Sequence, residues 1–177
     1  PLILNWEQDN VPAILNVWFG GSEAAYAIGD VLFGRVNPSG KLTMSFPQNV
    51  GQIPLYYAHK NTGRPLHDGK WFEKFRSNYL DVTNEPLYPF GFGLSYTTFA
   101  YSDISLSQSS MDMQGMITAS VDVSNTGLLP GGEVVQLYIR DLVGSTTRPV
   151  KELKGFERIY LQPGQTRTVT FKIAPEM

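Results

Sequence analysis

The hydrophobic rhythm of this chain changes once, close to residue 85. Ahead of that point apolar residues come in short runs and at helical spacing. Ala13-Ile-Leu-Asn-Val-Trp18 is a mostly continuous apolar run, as expected of a strand covered on both faces. Gly20-Gly21 turns the chain, Ser22 is placed to cap a helix, and Glu23 sits well against its dipole. Ala24, Ile28, Val31 and Leu32 then fall on one helical face, and Gly34 is placed to end the helix in the left-handed region. Leu42, Met44 and Phe46 alternate along Lys41–Phe46. Strand, helix and strand in this order predict a parallel βαβ unit, and we assign 1–46 to the C-terminal part of an α/β domain. Asn5–Asn10 is polar throughout except for Trp6 and reads as a loop.

From residue 99 the period is two. Phe99, Tyr101 and Leu106 open a first strand; Ile117, Ala119, Val121 and Val123 share one face of a second; Val135, Leu137 and Ile139 share one face of a third. Weaker strands are expected at Glu152–Phe156 and Arg158–Leu161, and Gln162-Pro-Gly164 turns into Val169, Phe171 and Ile173. Asn125-Thr-Gly127 and Pro130-Gly-Gly132 are turn chemistry. Repeated short strands predict an antiparallel sandwich over 99–177, with five or six strands where such a sandwich needs about seven. The apolar start at Pro1–Leu4 reads as mid-strand, so both ends of the chain are expected to be incomplete.

Between these regions, 47–98 is a long loop and connector. Residues 47–84 show no period and far exceed the usual loop of about 4–6 residues. Their aromatics (Tyr56, Tyr57, Trp71, Phe72, Phe75, Tyr79) argue against disorder. The connector that follows holds Pro86, Pro89, Gly91 and Gly93 beside Tyr88, Phe90, Phe92 and Tyr96. Prolines and glycines rule out a helix there, and the rings are expected to pack, so the segment reads as a tied-down junction.

Composition narrows the function. With 177 residues, 42% hydrophobic and 17% charged, there is room for one large or two small domains. A formal net charge of −2 gives no reason to expect nucleic acid or an anionic membrane as partner. The absence of cysteine excludes disulfides and thiolate metal sites. No apolar run approaches the roughly 20 residues of a membrane-spanning helix.

Tyr88-Pro-Phe-Gly-Phe-Gly-Leu-Ser-Tyr-Thr97 resembles the junction of family 3 glycoside hydrolases, where an α/β sandwich domain meets a fibronectin type III-like domain. Trp18-Phe-Gly-Gly-Ser-Glu-Ala25, Asp30-Val-Leu-Phe-Gly34 and Asn37-Pro-Ser-Gly-Lys-Leu42 are similar to the first domain. Gly132-Glu-Val-Val-Gln-Leu-Tyr-Ile139 and Arg148-Pro-Val-Lys-Glu-Leu-Lys-Gly-Phe156 are similar to the second. The resemblance implies the C-terminal portion of a retaining, exo-acting β-glycosidase, a β-glucosidase ahead of a β-xylosidase. Its substrate would be an oligosaccharide or β-glucoside, and its place the bacterial periplasm or exterior. It further implies that the nucleophile and the acid/base lie upstream, on a barrel domain and a loop, so no catalytic residue is assigned here. The chain alone is then expected to hydrolyse nothing, and no cofactor is implied. The alternative is a non-catalytic carbohydrate-binding or scaffolding module, since fold does not settle function.

The substrate-binding candidates are Trp71, Lys74, Arg76 and Tyr79: sugars stack on aromatic faces, and cationic donors bond hydroxyls. Trp71 and Tyr79 have a second possible role, pinning the long loop to the body of the protein. Glu7, Asp68, Glu73 and Asp81 are the carboxylates in loops suited to acid/base work. His59 and His67 lack a third ligand, so no metal is expected.

Overall fold

The computed structural model describes residues 1–66 and 71–177, and it divides into two compact units. One comprises Phe19–Gly40, Gly93–Tyr138 and Leu153–Met177; the other comprises Pro1–Trp18, Lys41–Phe92 and Ile139–Glu152.

The first unit is built on a β-sandwich. Its strands are β1 Phe99–Tyr101, β2 Ser105–Leu106, β3 Ile117–Asn125, β4 Gly131–Ile139, β5 Glu152–Leu161 and β6 Thr166–Ile173. β1 and β2 share one edge of β3, both antiparallel, while β6 runs antiparallel along the other edge with Val121 opposite Val169. β4 and β5 form a separate two-stranded sheet. Alternation explains the core: Val123 and Val169 from one sheet meet Val135, Ile159 and Leu161 from the other, with Phe99, Val121 and Phe171 packed around them. Each such side chain withdrawn from water contributes about 1.5–3 kcal/mol. The expected break inside β5 is absent. Phe171 lies over Gly155, where a Cβ would sit 3.1 Å from its ring, and the strand runs unbroken beneath it.

Helix α2, Ala24–Leu32, belongs to the same unit. It begins one residue later than expected: Glu23, not Ser22, is the N-cap, with no side-chain hydrogen bond. Its end is as expected. Gly34 takes φ +72°, its N–H donates to the Val31 carbonyl at 3.0 Å, and Arg35 N–H donates to the Asp30 carbonyl at 2.8 Å. That is the paired closure of a Schellman motif, for which glycine is the favoured residue.

In the second unit Asn5–Asn10 is a short helix, α1, and not the loop its polarity implied. Tertiary ties at both ends decide this: Asn5 Nδ2 donates to the Gln48 carbonyl at 2.8 Å, and the Tyr88 hydroxyl donates to Gln8 Oε1. The α/β remnant is small. Among the described residues Ala13–Trp18 joins no ladder, and Lys41–Phe46 is paired antiparallel with the connector. Phe46 N–H donates to Tyr88 O and Leu87 N–H to Phe46 O, each at 2.8 Å, and Gly91 N–H donates to Leu42 O at 2.7 Å. Tyr88 stacks on Phe92 and meets Phe46 edge-on, while Phe90 stacks on Tyr57 with centroids 4.0 Å apart. The rings of Tyr88, Phe90 and Phe92 thus pack within this unit. Tyr96, in the other unit, is about half exposed, but its hydroxyl donates to Val31 O at 2.8 Å.

Candidate functional site

The frame of the long loop starts at Gln48. Asn49 Oδ1 accepts from Gly51 N–H at 2.8 Å and fixes a single 3-10 turn, Val50–Gln52. This turn drives Gln52 inward until it is only 1% exposed. A buried amide must find partners. Gln52 Oε1 accepts from Gln48 N–H at 2.6 Å, and Nε2 donates to the carbonyls of Thr83 and Glu85 at 2.9 and 3.0 Å. Gln48 Nε2 donates to Thr83 Oγ1 at 2.7 Å and Glu85 O at 2.8 Å. Two glutamines thus staple one end of the loop.

The segment they hold carries Tyr79. Its hydroxyl donates to Gln52 O at 3.2 Å, and its N–H donates to Asn84 Oδ1 at 3.3 Å. Asn84 Nδ2 returns a bond to Ser77 O at 2.9 Å, and Ser77 N–H donates to Arg64 O at 2.9 Å. Tyr79 is therefore turned inward, with its polar end engaged. Trp71 is 54% exposed, with Phe72, Phe75 and Leu80 also open to solvent. Lys74 Nζ stands 4.8 Å above the Phe75 ring, and Phe75 has φ +68°, uncommon for a bulky residue. Arg76 Nε lies 3.7 Å from Glu73 Oε1. Among the described residues no hydrogen bond or ring contact joins any two of Trp71, Lys74, Arg76 and Tyr79; they share a loop, not a cluster.

Gln48, Gln52, Asn78 and Asn84 escaped the sequence reading. The partners of the two glutamines lie far along the chain, so nothing local marks them. Asn78 Nδ2 donates to Tyr79 O at 3.1 Å, while Oδ1 is buried with no partner among the described residues. Such an acceptor costs about 1–3 kcal/mol unless something donates to it.

Of the loop carboxylates, Glu73 is engaged with Arg76, and Asp81 Oδ2 accepts from Asn49 Nδ2 at 3.5 Å. Glu7 lies on α1. Burial first, then the charges of Asp9 and Glu7, raise the Tyr88 hydroxyl above its ordinary value. Asp68, His67 and Lys70 lie outside the described residues. Among the described residues no three of His, Asp or Glu group as a metal site, and no helix is long and apolar enough to cross a membrane.

Comparison with known families matches residues 1–96 to the glycosyl hydrolase family 3 C-terminal domain. This chain belongs to glycosyl hydrolase family 3. Residues 133–177 match the fibronectin type III-like domain, in agreement with the sandwich. A periplasmic beta-glucosidase of Salmonella typhimurium is 56% identical over 98% of this chain and 22% of its own length. A beta-xylosidase of Formosa agariphila is 50% identical over 98% of this chain and 23% of its own. Among solved structures, beta-glucosidase from Listeria innocua in complex with glucose superposes with a TM-score of 0.91 at 44% identity, covering 97% of this chain and 24% of that one. The family 3 chain described here thus spans about a fifth to a quarter of these relatives.

Proposed function

We propose that this chain is the C-terminal portion of a retaining exo-acting β-glycosidase of β-glucosidase type, which releases terminal β-linked sugars from oligosaccharides. The observation that carries the reading is the 56% identity to a periplasmic beta-glucosidase along nearly the whole chain. In this reading 1–46 ends the α/β domain, 47–98 is loop and connector, and 99–177 is the fibronectin-like sandwich. The protein works in the periplasm or outside the cell, with an upstream barrel domain as partner.

A retaining glycosidase sets two carboxyls about 5–5.5 Å apart, one as nucleophile and one as acid/base. Neither is assigned to this chain. Its contribution is one wall of the substrate site. Trp71 offers a ring face for the C–H surface of a sugar, Lys74 and Arg76 offer donors to hydroxyls, and Tyr79 holds the loop in register.

The 50% identical beta-xylosidase favours a second substrate, a terminal β-xyloside. Full-length protein assayed on nitrophenyl β-glucoside and β-xyloside separates the two. We expect the higher kcat/KM on the glucoside, and Trp71→Ala raising KM about tenfold with kcat little changed. A preference for the xyloside selects the second reading. No hydrolysis of either leaves the binding-module alternative.

A further inference from the structure

The hook that ends α2 helps to wall a pocket of about 270 Å³, whose lining includes Arg35, Asn37, Tyr96, Gly132, Arg158 and Tyr160. Its walls are fixed before any ligand arrives. Asn37 Oδ1 accepts from Tyr96 N–H and its Nδ2 donates to Ser95 Oγ, both at 2.8 Å, and the Schellman closure sets Gly34 and Arg35. Gly132 also lines it, and where a Cβ there would stand the Ser39 side chain is 3.2 Å away and Arg158 Nε 3.5 Å.

The charge is unbalanced. Among the described residues no acid pairs with Arg158, and Arg35 meets only Asp30, at 3.4 Å on an open surface. The carbonyls ending a helix disfavour an anion. Here those of Asp30 and Val31 are already occupied, by the N–H groups of Arg35, Val36 and Gly34 and by the Tyr96 hydroxyl. What remains is an unpaired guanidinium, a second loosely held one, and two phenol rings on a rigid backbone.

We propose that this pocket binds a carboxylate-bearing sugar, such as the uronic acid unit of an acidic glycan. A guanidinium fork matches a carboxylate with two parallel hydrogen bonds, and the Tyr96 and Tyr160 rings give apolar faces to a sugar's C–H groups. The volume lies just below the range of drug-sized pockets and suits a single sugar ring. The lining of this pocket includes no residue of the Trp71 loop, and the proposal does not depend on the glycosidase reading.

The test titrates full-length protein and its Arg158→Ala variant with glucuronate, glucose, acetate and inorganic phosphate, counting only the binding that the variant loses. We expect such a component for glucuronate, weakened about tenfold or more by Arg158→Ala and by added salt, and untouched by Arg167→Ala. Glucose, acetate and phosphate should each bind there at least tenfold more weakly. An unchanged melting temperature shows that Arg158→Ala remains folded, and unchanged hydrolysis of nitrophenyl glycosides separates this site from catalysis. Glucose matching glucuronate overturns the charge argument, and acetate or phosphate matching it overturns the sugar argument. An unaltered glucuronate affinity in Arg158→Ala overturns the proposal outright.

Discussion

Asn125 concentrates more of the sandwich's order than any of its apolar neighbours. It is 1% exposed, and its side chain is fully used: Nδ2 donates to the carbonyls of Leu129 and Leu161 at 2.8 and 3.1 Å, while Oδ1 accepts from Thr97 Oγ1 at 2.7 Å and Gly127 N–H at 3.1 Å. The sequence showed a turn residue, and it is one; its reach to Thr97 and Leu161 was invisible because those partners are distant along the chain. Asn125→Leu should cost about 2–4 kcal/mol in denaturant unfolding, since it orphans buried groups, whereas an effect within about 0.5 kcal/mol would place the tie elsewhere. Gly127 next to it has no room for a side chain, a Cβ falling 2.2 Å from Thr97 Oγ1 and 2.8 Å from Thr98 N. Tyr101 makes a pH prediction. Burial, then the Glu133 carboxylate that accepts from its hydroxyl at 3.2 Å, raises it well above the ordinary phenol range. The unfolded chain then loses this proton first, near pH 10, while the folded chain keeps it. Stability from this group is full below about pH 10 and falls as pH rises further. Tyr101→Phe should flatten that fall when unfolding is followed from pH 9 to 11; an identical slope in both proteins would rule the group out.

Elements were legible where one face repeats. β3, β4 and β6 followed their alternation because a buried face punishes a slip of one residue. β5 read as two strands because Gly155 weakens a strand unless something covers it, and Phe171 lies far off in sequence. α1 was hidden by polarity, its helix being held by Gln48 and Tyr88 from outside. Lys41–Phe46 was correctly placed as extended chain, but its antiparallel partner, the connector, is a long-range choice that periodicity does not encode. The long loop announced itself through its aromatics, and the staple that shapes it did not. Gln52→Met keeps the volume and removes two donors and one acceptor. It should destabilise by about 1–3 kcal/mol and speed hydrogen exchange across 77–85. Unchanged exchange there would mean that the loop holds itself.

Across the whole molecule, large apolar side chains stay open to water. In one unit Leu2, Trp6, Ile14, Leu15 and Trp18 are exposed; in the other Phe19, Tyr26, Leu32 and Phe33 are. So many exposed apolar side chains in each unit leave surface that gains from being covered. The isolated 177 residues should therefore bind a hydrophobic dye and self-associate, where the full-length protein stays monodisperse. Dye binding no greater than that of the full-length protein would contradict this. The central claim is that these residues belong to a retaining glycosidase and supply none of its covalent chemistry. Incubating full-length protein with an activated 2-deoxy-2-fluoro-β-glucoside traps the glycosyl-enzyme intermediate of a retaining mechanism, and peptide mapping locates it. We expect one stoichiometric label on a carboxylate outside residues 1–177. A label on Glu7, Asp68, Glu73, Asp81 or any other acid of this chain, or hydrolysis with inversion and no label, would contradict the account.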